Sequence, residues 1–243
     1  MRTFVFAKRC AKEILRDPLN LAFGLGFPIV LLLLLSAIQA NVPANLFEIH
    51  SLAPGVAVFG LSFITLFSAT LIAKDRESAL LQRLYTTPLK AVHFILGYML
   101  PIIPIALTQG CIAYLVAFAL GLPISINIFY AIFMLLPIVI FYVSMGLLFG
   151  SILNVKQVGG ICGALLTNLS AWLSGVWFDL SLVGGVFEKI ANFLPFVHAV
   201  ELERAVVNGA FAQAFPRVFV VLGYALAVTI GAVFLFLRQM KKQ

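Results

Sequence analysis

Six apolar runs, each about 20 residues long, dominate this sequence: about 20–40, 54–73, 94–119, 128–150, 158–178 and 217–237. That length matches the hydrocarbon core of a bilayer at the α-helical rise per residue. In lipid, a backbone must satisfy its own hydrogen bonds, so such runs fold as helices. The expectation is an all-α integral membrane protein with six transmembrane helices. The first run begins near Leu21, after a polar-rich start, and Ser36 to Ala40 makes a poor cleavage site. It reads as a retained span rather than a signal peptide.

Composition narrows the choice further. Apolar residues make up 63% of the 243 positions and charged residues 10%, against about 45–50% and 25% in soluble domains. An ordinary soluble enzyme, a disordered chain and a secreted disulfide scaffold are excluded. Cys10, Cys111 and Cys162 are odd in number and far apart, and His50, His93 and His198 are scattered, so no disulfide framework or metal-ligand spacing is present.

The net charge of +7 comes from short basic clusters beside the apolar runs. That pattern reads as topology and lipid headgroup contact, not nucleic-acid binding. With both termini inside, thirteen of the 16 basic residues lie on the inner side, leaving Lys189, Arg204 and Arg217 outside. The excess of inner basic residues fixes this orientation.

Residues 1–19 carry Phe4, Ala7, Ala11 and Ile14 at helical spacing, with Lys8, Lys12 and Arg16 on another face. This reads as a basic amphipathic helix on the membrane surface, ended by Asp17-Pro18; a solvated tail is the plainer alternative. Pro101 and Pro104 are expected to bend the third span. The segment 179–215 is too interrupted to span yet too apolar for a plain loop. Pro195 divides it, so two short helices are expected, dipping into the outer leaflet or packing over the span ends.

Some chemistry is missing from the sequence. No span carries a central acid or base, which ion-coupled carriers usually need, although broken sodium-coordinating helices escape that test. Ser144 and Ser170 lack a nearby base, and no phosphate-binding loop occurs. Uphill transport by this chain therefore needs energy from a partner.

The most informative stretch lies between spans two and three. It runs Lys74-Asp75-Arg76-Glu77-Ser78-Ala79-Leu80-Leu81-Gln82-Arg83-Leu84-Tyr85-Thr86-Thr87-Pro88-Leu89. From Glu77 to Tyr85 it is good helix sequence, with acids first and Arg83 near the end, as the helix dipole favours. Thr87-Pro88 ends it. Leu80, Leu81 and Leu84 form an apolar stripe on a helix too short to stand alone. Two readings fit: a helix seated in a groove of another protein, or one resting on lipid.

This stretch resembles the loop of ABC-2 type permeases, the membrane subunits of one class of ATP-binding cassette (ABC) exporters, whose usual pattern is E-R-E-x-G-t-l-E-x-L-x-x-T-P. Asp75, Arg76, Glu77, Leu84, Thr87 and Pro88 match in register, with Asp for the first Glu. Ala79 replaces the usual Gly and Gln82 the later Glu. Arg16-Asp17-Pro18, Pro54-Gly55, the long segment after span five and Leu194-Pro195 followed by Arg204 also resemble family features, so the likeness covers the whole chain in outline.

The resemblance implies a machine of two permease copies above two ABC ATPase subunits. It makes Asp75, Arg76, Glu77, Leu80, Leu81, Leu84, Thr87 and Pro88 a coupling helix seated in the ATPase. It makes the amphipathic start a connecting helix, with Lys8, Lys12 and Arg16 near the same subunit. ATP and Mg would bind the partner, and this chain would carry no cofactor and no catalytic activity of its own. Separately encoded half-size subunits imply a bacterial cytoplasmic membrane.

In such a family the pathway runs between the two copies, lined by spans two and five. Phe59, Phe63 and Phe67 make one aromatic face of span two, and Thr167, Asn168 and Trp172 offer contacts on span five. Few polar groups among aromatics suit an apolar or amphipathic substrate, a drug or antibiotic above all. With 23 Phe in the chain, the same stripe also fits a lipid-facing role. Gly146/Gly150 and Gly159/Gly163 are expected to let spans four and five pack closely. The alternatives are a lipid, peptide or lipid-linked glycan exporter of the same family, an ion-coupled carrier, or a membrane scaffold.

Overall fold

The computed structural model describes residues 2–42, 47–78 and 91–240. Over these residues the chain is all-helical. Helix α1 (Arg2–Leu15) is followed by a single turn, Pro18–Leu21, a π-helical stretch, Ala22–Gly26, and α2 (Phe27–Asn41). Then come α3 (Ile49–Glu77), α4 (Ala91–Ala119) and α5 (Ile126–Ile152). The next segment is composite: α6 (Val155–Val158), a π-helical Gly159–Leu166, and α7 (Thr167–Leu173). After a 3-10 turn at Leu180–Leu182 come α8 (Gly185–Phe193), α9 (Pro195–Val207) and α10 (Phe211–Met240).

Among the described residues, five helices are long and apolar enough to cross a membrane: Ala22–Asn41, Ile49–Glu77, Ala91–Ala119, Ile126–Ile152 and Phe211–Gln239. The sixth expected span, about 158–178, is not among them. Its helical course stops at Leu173, and Gly159, Gly160, Gly163, Thr167 and Asn168 dilute its apolar character. The other expected limits move outward: α3 runs on through Lys74 to Glu77, and α10 starts at Phe211. Helix α4 passes through Pro101 and Pro104 without a break.

Helix α3 is the axle of the bundle. It packs on α2, α4, α5 and α9 and on the composite segment. In its most apolar stretch 89% of residues are buried inside the chain, against 17% for the stretches around α2 and in α10. A helix apolar all round belongs in an interior, and α3 takes that place while α2 and α10 remain outside.

Close packing on α3 rests on small residues. A Cβ on Gly150 would lie 2.8 Å from the carbonyl oxygen of Ala69, and one on Gly146 would meet Ser68 and the Thr65 carbonyl. These two glycines therefore fit α5 against α3, not against the span-five segment as expected. Gly159 and Gly160 meet nothing within 4 Å, and Gly163 has only ordinary contact with Leu66. A glycine pair permits close approach but does not name the partner.

The Phe stripe also differs from expectation. Phe59, Phe63 and Phe67 are buried within this one chain. Phe63 packs edge-on to Phe27 and to Phe59, and Phe59 packs on Trp177. The Phe67 ring fills the space where a Cβ on Gly24 would stand. The stripe thus glues α2 and its π-helical approach to α3 and is nearly all covered within the single chain.

The segment after α7 forms the two short helices α8 and α9. Proline at its first turn starts α9, which packs on α3, α5 and α10. Its residues Pro195 to Val200 are almost all buried.

Candidate functional site

The last turn of α3 carries Lys74, Asp75, Arg76 and Glu77. Successive residues of an α-helix point about 100° apart, so Asp75, Arg76 and Glu77 reach three directions. The bundle uses all three.

Asp75 turns inward and is 1% exposed. Arg9 of α1 grips both of its oxygens, Nη2 at 2.6 Å from Oδ1 and Nη1 on Oδ2. The hydroxyl of Tyr98 in α4 donates to Oδ2 at 2.8 Å. A buried carboxylate needs a cation and further donors, and here one comes from α1 and one from α4. Below this triad, Phe6 of α1 lies on Gly97, edge-on to Phe94 and Tyr98 at 5.5 and 5.0 Å. A Cβ at residue 97 would strike the Phe6 ring, so α1 docks only because this residue is glycine.

Arg76 reaches the end of α5. Its guanidinium donates to the carbonyls of Ser151 and Leu153. The end of a helix offers unpaired carbonyls and the negative pole of its dipole, so a cation fits there. Glu77 reaches the start of α6, where its carboxylate accepts from the Val155 amide at 2.9 Å. An anion on a helix-start amide is the complementary case. Asn154 and Gln157 add a reciprocal capping pair to the same turn.

The electrostatics of the joint favour the charge on Arg9. Burial alone works against the Arg9 charge, but the bonds from Asp75 hold its guanidinium above the ordinary range. Glu13, whose carboxylate also pairs with Arg9, is pushed up by burial. Burial drives the neighbouring Cys10 thiol up to about 12, so it stays protonated and unreactive. Lys74 pairs with Asp17 at 3.6 Å. On the outer side of α1, Lys8, Lys12 and Arg16 are exposed beside Phe4, Val5 and Leu15.

A second feature lies on the composite segment. Thr167 is buried and donates its hydroxyl to the Cys162 carbonyl at 2.9 Å. Asn168 is exposed, its amide tied to the Ala164 carbonyl at 2.8 Å, and Trp172 is 59% exposed. With Gly159, Gly160, Ala164, Leu165 and Leu169 they make an open face.

A sequence model of the ABC-2 type transporter family matches residues 1–208. The chain belongs to this family. No curated protein matches it. The ABC-2 assignment makes the chain a multi-pass permease, the membrane component of a transporter.

In this ABC-2 permease the expected coupling residues divide. Leu80, Leu81, Leu84, Thr87 and Pro88 lie outside the described residues. Asp75, Arg76 and Glu77 were expected to help seat a partner, yet their bonds run into the permease itself, to α1, α4, α5 and α6. Of the pathway candidates, Asn168 and Trp172 share an exposed face, Thr167 points inside, and the three Phe are core. Sequence reasoning missed Arg9, Tyr98, Phe6 and Gly97. The i, i+4 repeat of Phe6, Cys10 and Ile14, with Arg9 beside it, was the available signal for a docked face on α1.

Proposed function

We propose that this permease is the membrane half of a bacterial ABC exporter, driven by a separate ATPase subunit that binds ATP and Mg. The supporting observation is the joint at the end of α3. In sequence, residues 79–90 follow directly on the turn that bonds to α1, α4, α5 and the composite segment. A partner that shifts this loop pulls on four elements at once through short charged bonds. Asp75, Arg76 and Glu77 act as the inner anchor, and Leu80, Leu81 and Leu84 as the part seated in the ATPase. With the composite segment making a sixth crossing beside the five long helices, both termini and the loop lie in the cytoplasm, in keeping with the basic residues gathered there.

A second copy of the chain packs on the open face of the composite segment. Asn168 is costly against lipid, and bare glycines offer a close approach for another helix. The pathway runs along this face past Trp172, and an apolar or amphipathic molecule, drug-like or antibiotic-like, is the cargo that suits it. Exposed Lys8, Lys12 and Arg16 beside Phe4 and Leu15 suit α1 to an anionic membrane surface.

The test is direct. The purified permease alone hydrolyses no ATP and co-purifies with its ATPase when the two are expressed together. Leu84→Asp detaches the ATPase or uncouples transport at unchanged expression. Transport that persists without any ATPase and collapses with an ionophore would instead make the chain an ion-coupled carrier.

A further inference from the structure

Helix α9 buries a face that repeats at helical spacing: Phe196, Ala199, Val200, Glu203, Val206 and Val207. One member is an acid. Glu203 is 0% exposed. Its Oε2 accepts from the hydroxyl of Tyr114 in α4 at 2.7 Å, and its Oε1 has no hydrogen-bond partner among the described residues.

The charged and titratable groups around α9 are engaged elsewhere. Arg204, the next residue, turns to the other side and donates Nε to the Ser51 carbonyl at 3.0 Å. Arg217 of α10 pairs with Glu201 at 2.6 Å, and Tyr224 of α10 donates to the Phe193 carbonyl. Tyr142 of α5 bonds to Ser170 at 2.9 Å, and Tyr130 of α5 packs on Phe211. On α8, Lys189 is exposed and Glu188 lines a polar cavity of about 320 Å³ with Asp179, Arg204 and Trp177. His198 bonds to the Asn192 carbonyl, and His50 of α3 is exposed. The remaining charges of α3 lie at its opposite end.

An ionised carboxylate without a cation is costly in such a place, so Glu203 holds its proton. Burial raises it to about 8, and the Tyr114 bond draws it part of the way back. We propose that Glu203 and Tyr114 form a proton-held latch that keeps α9 seated across the end of the bundle, and that loss of the Glu203 proton lets α9 move out. The latch stands on the geometry of this one chain and needs no partner or cargo.

The sign follows from linkage. Seated, Glu203 loses its proton at about 8; released into water, the carboxyl returns to its ordinary 4.5. Between those values each pH unit favours release by about tenfold, with one proton given up per opening. Below 4.5 and above 8 the balance is flat.

Trp177 reports on the latch, because it lines the same cavity as Val197, Glu201 and Arg204 of α9. The chain has two tryptophans, so Trp172→Phe leaves Trp177 alone. The full chain in zwitterionic nanodiscs, without ATPase, is titrated from pH 5 to 9.5 while acrylamide quenches Trp177. Quenching rises with pH and levels near 8. Adding Glu203→Gln abolishes the rise at the low-pH level. Adding Tyr114→Phe moves the plateau to higher pH, because the bond that favoured the charged form is gone. A flat parent curve, or a rise that survives Glu203→Gln, overturns the latch. Should the Gln variant not fold, the Tyr114→Phe curve decides: an upward shift supports the latch and an unmoved plateau refutes it. Either outcome leaves the exporter reading intact.

Discussion

Removing Arg9 should harm the permease more than neutralising Asp75, although the two form one ion pair. Arg9→Ala leaves a carboxylate that is 1% exposed with, among the described residues, the Tyr98 hydroxyl as its remaining side-chain donor. Breaking a buried pair from one side costs about 3–5 kcal/mol. The Arg9 flank is 35% exposed, so water reaches the gap and the lower figure of about 3 kcal/mol applies. Asp75→Asn keeps an acceptor for Tyr98 and leaves Arg9 with Glu13 and solvent, at about 1–2 kcal/mol. In the double variant no charge is stranded, so its cost stays near that of Asp75→Asn. The readout is tryptic cleavage after Lys8 and Lys12, which needs α1 to leave α4 and tracks the open population. Cleavage rises about 100-fold in Arg9→Ala and about tenfold in both Asp75→Asn and the double variant, at about 1.4 kcal/mol per factor of ten. If the two single variants are equal, or the double variant is their sum, Asp75 is not a stranded buried charge and the joint is misread.

Four further outcomes follow from the packing. Gly150→Ala drives a Cβ against the Ala69 backbone and costs about 1–3 kcal/mol, seen as a lower melting temperature in detergent. Gly159→Ala adds a Cβ that has no atom of the described residues within 4 Å, so melting is unchanged while cross-linking between copies is lost. Phe63→Ala removes a buried ring packed between Phe27 and Phe59 and costs about 3–5 kcal/mol; unchanged melting with altered substrate preference would return it to the pathway. Arg76→Ala frees the Ser151 and Leu153 carbonyls and lowers cargo moved per ATP hydrolysed while ATP turnover in the complex persists.

The spans were legible because a bilayer demands about 20 apolar residues and the chain supplies them in clear blocks. The roles of individual residues were not, for identifiable reasons. Asp75, Arg76 and Glu77 sit at a helix end, where a lone sequence cannot say which charge turns inward; the partner that decides it, Arg9, is 66 positions away. The Phe59-Phe63-Phe67 repeat lies on a helix apolar all round, so its period has no polar face to fix a direction. Gly146 and Gly150 gave the closeness of a contact but not its partner. Glu203 lies in the interrupted segment 179–215, yet it falls in register with Phe196, Ala199, Val200 and Val207, and that register is the signal that it faces inside.

The distribution of burial limits how such a permease can move. Every side of α3 is covered by its own chain, through glycine contacts with α5, through Phe63 with α2 and through Asp75 with α1 and α4. Interiors packed at this density do not flex continuously. A pull at the Glu77 end of α3 therefore carries α3 and its partners together as one body. Two elements have a feature that permits relative motion: the composite segment packs on α3 on one side and is open on its far face, and α9, though packed on α3, α5 and α10, buries an acid bonded to a single phenol. These two elements adjoin, since α9 also packs on α7. The freedom of the bundle thus lies along the face where Asn168 and Trp172 are exposed, not around the aromatic stripe. Substitutions that alter substrate choice without loss of stability should accordingly fall on Asn168, Leu169 and Trp172, while those at Phe59, Phe63 and Phe67 should register first as unfolding.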